Sequence, residues 1–430
     1  MAGAELVLAN AAVVPMADGP AVFSPGYVAV AEDRIVAVGE GSAPAGAFPG
    51  ARVLDLDGRV ILPGLINCHM HQRPVRALGD GLPLKTWHDR CADGATELMT
   101  PEDAYAGALL GFGDCLKAGI TTVLADTIFP EDEARAARDI GIRARMFPHI
   151  EDPRRVEPYL RLVEAQGGGE GNRVRHWAGV EAAARMDPGI LRLVAQTARK
   201  MAGGIATHFS EARRESVEAL RDGQILGPNL SLAHCVQVTP SDIAVLAQHH
   251  ACVIHNPKSN LRLANGVAPV PDMLAAGIRV ALGTDGMVST YRLDLFEEMR
   301  TAALLQRGTR RDPLLLPVER LLAMVTTSSA EVLLHGDRIG RLAPGMKADI
   351  AVLDARKLWW TPRVDDPGNS NLLNLIVWSA IATDVELVLV DGRVVVEGGR
   401  LVSMDEEAVR AHAQEAGARI IRAGGLARRD

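Results

Sequence analysis

Between residues 60 and 285 the chain alternates short apolar runs with longer amphipathic stretches, and it does so eight times. The runs are VILPGLINCHMH, GITTVLAD, IRARMFPH, VRHWAGVE, GIATHFSE, LSLAHCVQ, ACVIHNP and RVALGTDG. Short, near-continuous apolar runs suit strands buried on both faces, as in a parallel sheet covered by helices. Intervening segments such as TPEDAYAGALLGFGDCLKAG and DPGILRLVAQTARKMAGG open on Thr or Asp and close on Gly, as capped helices do. Eight strand–helix repeats predict an α/β fold, the (β/α)8 TIM barrel.

The flanks have a different texture. ELVLANAAVVP, GYVAVAEDRIVAVGE and ARVLDLDGRVILPG read as short strands, punctuated by Asp18-Gly19 and Asp57-Gly58 turns. Beyond residue 345, KADIAVLDA and ELVLVDGRVVVEGGRLV read the same way around Asp391-Gly392. The likeness of the two ends predicts that residues 1–58 and 345–402 form one small β-sandwich domain. The barrel then occupies 59–344, and 403–430 is a closing helix. A length of 430 residues suits one large domain plus a smaller one.

Bulk properties exclude several functions. The net charge is −7 with no block of Lys or Arg, so no nucleic-acid partner is expected. No apolar run can span a bilayer, and the N-terminus has no basic stretch of the kind that starts a signal peptide. The five cysteines are odd in number, scattered and without a CxxC pair, which points to a reducing compartment and a cytoplasmic location.

Barrels carry their active sites at the C-terminal ends of the strands. The polar residues fall there: His69 and His71 end the first strand, and His208 and Glu211 the fifth. His234 ends the sixth and Asp285 the eighth. Residues two apart on a strand share a face, so His69 and His71 project side by side. A single histidine in a barrel is ordinarily a satisfied core residue, and an Asp after Gly-Thr can simply close a turn. Three imidazoles and a carboxylate on one rim point instead to a divalent transition metal, which lowers the pKa of a bound water from about 15.7 to about 7.

LPGLINCHMH, THFSE, LAHC, HNPKSNLRLANGVAPVPDML, ALGTDG with LDLFEEMR, and GRLAPGMKADIAVLD together resemble the amidohydrolase superfamily. The resembling branch holds the methylthioadenosine/S-adenosylhomocysteine deaminases and the s-triazine and guanine-type aminohydrolases. The resemblance implies that His69, His71, His208 and Asp285 bind the metal. It further implies that Glu211 shuttles protons, that His234 stabilises charge on the attacking oxygen, and that Asp285 helps to deprotonate the water. Two-metal members use a strand-four lysine; IRARMFPH and VRHWAGVE contain none, so one ion is expected, zinc first, with iron or manganese as alternatives. The implied reaction is hydrolytic deamination of an amino-substituted nitrogen heterocycle, a small molecule, by a homo-oligomeric enzyme. Cleavage of a ring amide, a urea-type or a carbon–halogen bond is the catalytic alternative, and a non-catalytic scaffold the other.

Around the rim the resemblance weakens. A His-Ala-Pro-Tyr-like segment is replaced by VEAAARMDPG, with Glu181 in the place of the His. The carboxylate that related nucleoside deaminases use for ribose hydroxyls aligns with Thr96, and Glu97 is one position away. Ser289 begins STY where Ser-Asn-Asn is usual. These changes argue against simple transfer of the methylthioadenosine or adenosylhomocysteine activity. Glu181 either contacts substrate or, the plainer reading, pairs with Arg185 at the surface. His255, Asn256 and Asn260 either contact substrate or brace their loop. Trp87 and His88 either cover the site or pack on the barrel top, and His149 and His176 are expected to pack.

Overall fold

The computed structural model describes residues 4–427 apart from 20, 45, 167–172 and 367. The N-terminal strands are β1 (Leu6–Val13), β2 (Phe23–Ala31), β3 (Arg34–Glu40), β4 (Arg52–Asp55) and β5 (Val60–Pro63). Then follow β6 (Leu65–His71), β7 (Ile120–Thr127), β8 (Arg143–Pro148), β9 (Val174–His176), β10 (Ala178–Gly179), β11 (Ile205–Phe209), β12 (Leu230–His234), β13 (Cys252–His255) and β14 (Val280–Leu282). The C-terminal strands are β15 (Ile350–Leu353), β16 (Val385–Val390), β17 (Arg393–Glu397) and β18 (Arg400–Leu401), and the helix Glu406–Gly424 comes last.

Strands β6 to β14 form the barrel. They make two parallel arcs, β6-β7-β8-β9 and β10-β11-β12-β13-β14. β9 and β10 are one stave broken at Trp177, whose upper half pairs with β11 and lower half with β8. At the other joint, the backbone N–H groups of Thr284 and Asp285 both donate to the carbonyl of His69, at 3.1 and 2.9 Å. All eight staves anticipated from the sequence are present, and their side chains are almost all buried. The helices between them start as their sequences require. Thr100 and Asp103 form a reciprocal capping box at Pro101–Lys117, as do Thr239 and Asp242 at Pro240–Gln248.

The two ends of the chain build a single nine-stranded mixed sheet, in the order β18-β17-β16-β15-β5-β1-β2-β3 with β4 also on β1. It is continuous by hydrogen bonds, and it unites the two ends as anticipated. It forks because β1 pairs in parallel with β4 through Leu6–Ala9 and with β5 through Ala12–Val13. Leu8, Val28, Ile35, Ile61, Val352 and Leu389 make its buried core. β5 belongs to this sheet, paired antiparallel with β15, and the barrel begins only after Gly64. The sequence reading had run these two strands together.

A buried ion cluster joins sheet to barrel. Arg143 on β8 donates to Asp349 through Nε at 2.8 Å and Nη2 at 3.0 Å, and also to Asp391. Burial works against the guanidinium charge, but the two carboxylates outweigh it and raise its pKa. Removing Asp349 takes away the bidentate partner and leaves the buried guanidinium with Asp391 alone. Asp349→Ala is therefore expected to cost about 3 kcal/mol, the lower end for breaking a buried ion pair, read as a lower Tm and denaturant midpoint.

Candidate metal centre

The polar strand ends meet at one mouth of the barrel. The rings of His69 and His71 stand 4.9 Å apart, and that of His208 lies 4.8 Å from the first and 5.3 Å from the second. Nε2 of His208 is 3.3 Å from Nε2 of His71. Asp285 Oδ1 lies 3.5 Å from His69 Nε2 and 3.2 Å from His71 Nε2. One donor atom from each of His69, His71 and His208 falls within 4.8 Å of the others, and the same is true of His69, His234 and Asp285.

This donor set fits a metal ion. Both ring nitrogens of His69 and Nδ1 of His71 are buried without a hydrogen-bond partner among the described residues. Orphaned buried nitrogens are costly unless something satisfies them. Burial drives the His69 pKa down to about 3, so the ring is neutral, the form a cation requires. Burial opposes the charge of Asp285 too, but the imidazoles of His69 and His71 close to its Oδ1 outweigh it and hold the carboxylate ionised. Imidazole nitrogens with a carboxylate suit zinc, iron or manganese.

Backbone strain collects at the same rim. Ser210, His234 and Asp285 have φ of 49°, 75° and 60°, in the left-handed region that costs non-glycine residues of order 1–3 kcal/mol. Local bonds hold each turn. Asp285 accepts from Ser259 Oγ and from the Gly286 N–H at 2.8 Å. Asn67 on β6 ties the preceding residue, accepting from Thr284 N at 3.0 Å and donating to its hydroxyl at 2.7 Å. Glu215 accepts from Ser210 N at 2.8 Å.

Glu211 stands at the edge of the cluster with its side chain 19% exposed. Asn265 Nδ2 donates to its Oε1 at 2.8 Å, and that oxygen lies 3.8 Å from His234 Nδ1. His234 Nδ1 is also 2.8 Å from Asn260 Oδ1. A recess of about 30 Å³ lies over the cluster, lined by His71, Arg73, Trp87, His149 and Ser289 among others. It adjoins a cavity of about 370 Å³, and His88, Glu181, His208 and Glu211 line both. The larger space falls within the range of small-molecule sites.

Several expectations need correction. Glu181 is not a surface ion-pair partner: it is buried, with Oε1 3.7 Å from His208 Nδ1, and Arg185 instead donates to Glu215 at 2.8 Å. Glu97 is exposed at the end of a short helix and lines neither cavity. His255 and Asn256 are fully buried and line neither cavity. Asn256 and Asn260 stand against His234, the former with Nδ2 3.4 Å from Nδ1. His149 does not merely pack: it bonds Asp126 at 2.9 Å and lines the recess. His176 does pack, against the Tyr159 hydroxyl at 3.1 Å.

Asp126 was missed. It is the last residue but one of β7, with Oδ2 3.3 Å from His71 Nδ1 and bonded to His149. The run GITTVLAD carried the signal, a carboxylate at the C-terminal end of the second barrel strand.

Comparison with known proteins agrees with this architecture. Residues 60–395 match the amidohydrolase family. The chain is 34% identical to a 5-methylthioadenosine/S-adenosylhomocysteine deaminase of Syntrophomonas wolfei, over 97% of this chain and 99% of that one. It is 33% identical, with the same coverage, to a 5′-deoxyadenosine deaminase of Methanosarcina mazei. An adenosine deaminase from Xanthomonas campestris, solved with bound zinc, superposes with a TM-score of 0.89 at 26% identity, covering 98% of this chain and 99% of that one. With that match spanning most of its length, around a barrel mouth ringed by histidines, the chain belongs to the amidohydrolase family.

Proposed function

We propose that this chain is a hydrolytic deaminase that uses one divalent metal ion, zinc first among the candidates. It removes ammonia from the exocyclic amine of a 6-aminopurine nucleoside or a similarly amino-substituted heterocycle. The observation that carries the reading is the convergence of His69, His71, His208 and Asp285, with unsatisfied ring nitrogens, beside the carboxylate of Glu211. Relatives named as adenine-nucleoside deaminases over nearly the full length support the choice of leaving group.

When bound by these residues, the ion supplies Lewis acidity that makes a water nucleophilic at neutral pH. The protein does the rest. Asn265 fixes Oε1 of Glu211, which leaves Oε2 to take one proton from the water and pass it to the ring nitrogen. Asn260 orients the His234 ring through its contact with Nδ1, so that an N–H at Nε2 would meet the attacking oxygen and stabilise its developing charge. Asp285, held by Ser259 and the Gly286 N–H, accepts the second proton and gives it up to the departing amine, which leaves as ammonia. Trp87 and Leu263 wall the recess and limit bulk water.

Ammonia release from aminopurine nucleosides, aminopterins, guanidino rings and triazines tests the assignment. Release from at least one aminopurine compound is expected. Silence across the whole panel, with another leaving group detected, would sink it.

A further inference from the structure

Arg73 follows the second metal-facing histidine by two residues, and its side chain is almost wholly buried at 4% exposure. Its Nε donates to Thr96 Oγ1 at 2.9 Å, and that hydroxyl in turn donates to the Ala92 carbonyl. Among the described residues, no carboxylate stands within ion-pair distance of the guanidinium, and neither Nη has a partner. A guanidinium has five N–H donors and is always charged, so a buried one without a counter-charge is costly.

The carboxylates around the site do not supply that charge. Asp126 is taken by His71 and His149, and Asp285 by Ser259 and the metal-facing imidazoles. Glu211 is bonded by Asn265, and Glu181 faces His208. Arg73 nevertheless lines the same recess as His71 and His208. A group held by it would lie beside the reacting centre.

The backbone holds Arg73 in place. A Cβ on Gly107 would lie 2.7 Å from Pro74 Cδ and 2.9 Å from the Arg73 carbonyl carbon, and one on Gly417 only 2.1 Å from the Pro74 oxygen. The segment is thus clamped between helix Pro101–Lys117 and helix Glu406–Gly424. A fixed fork with free N–H groups, facing a cavity, matches a planar or tetrahedral oxyanion.

We infer that Arg73 anchors an oxyanion carried by the substrate, a carboxylate or a phosphate, so that this enzyme acts on an anionic amino heterocycle in preference to a neutral one. The inference rests on the deaminase reading above and narrows its substrate class.

The test uses matched pairs on the metal-loaded full chain: adenosine 5′-carboxylate against its carboxamide, pterin 6-carboxylate against its carboxamide, and adenosine monophosphate as the phosphate arm. Wild-type enzyme should favour at least one anion over its neutral partner by roughly tenfold or more in kcat/KM. Arg73→Gln should lower kcat/KM for that anion by roughly 30-fold or more, and by less than about threefold for the amide. Arg73→Lys, which keeps the charge without the fork, should fall between. The same ligands titrated calorimetrically into Glu211→Gln, with and without Arg73→Gln, give affinities that need no turnover. Ammonia from neutral members with no anion preference in wild type overturns the inference and leaves the deaminase reading standing. Anions that bind through Arg73 without any ammonia release overturn the deaminase reading alone. Equal loss for both members of each pair in Arg73→Gln makes Arg73 a structural residue and ends the proposal.

Discussion

Glu211→Gln should keep its metal and lose at least about two orders of magnitude in turnover. The substitution preserves shape, and the Asn265 amide can still bond Oε1. What it removes is the one carboxylate oxygen free to accept a proton and hand it on. The residue lies beside the histidine cluster, its Oε1 3.8 Å from His234 Nδ1, but the distances that bring His69, His71, His208 and Asp285 together do not involve it. Metal content and affinity for a substrate analogue should therefore stay close to wild type while kcat falls. Turnover within a few-fold of wild type would remove Glu211 from the proton path.

His69→Ala should have the opposite signature, in which the ion is lost and activity goes with it. His69 is fully buried, and neither ring nitrogen has a hydrogen-bond partner among the described residues. Its ring is 4.8 Å from that of His208 and 4.9 Å from that of His71, so it sits at the centre of the donor set. Even outer partners of metal ligands are worth about 10–100-fold in affinity, so loss of a direct ligand should exceed about a hundredfold. Elemental analysis after dialysis checks this. A full complement of metal in His69→Ala would take the residue out of the ligand set. The two variants together separate holding the ion from using it.

Much of this site could be read in the sequence because strand ends and chemistry coincide in this fold. His69, His71, His208, His234 and Asp285 each close an apolar run, and the period of a strand places the first two on one face. What escaped depends on contacts that no local pattern encodes. Asp126 and His149 also close runs, but a carboxylate there looks the same as a turn former, and a histidine the same as a packed ring. Arg185 is four residues from Glu181, spacing that invites a local pair. The fold gives Arg185 to Glu215 and turns Glu181 inward. Glu97 is one residue from Thr96, but a step along a helix swings the side chain about 100° and puts it in solvent. The apolar stretch from Val60 to His71 shows no break in hydropathy at Gly64, so β5 and β6 could not be told apart without their partners.

The sheet made from both ends of the chain has a consequence for the order of assembly. β5 lies between β1 and β15, so one of its edges waits until residue 350 has been synthesised. Every barrel stave emerges from the ribosome before that edge is covered. Growing chains, and any product stopped short of β15, thus carry a bare strand edge that can pair with a neighbour. Asp349, which precedes β15 and grips Arg143, arrives at the same moment. Closing the edge and bolting sheet to barrel are one late event, and chains that stall before it should be those that aggregate.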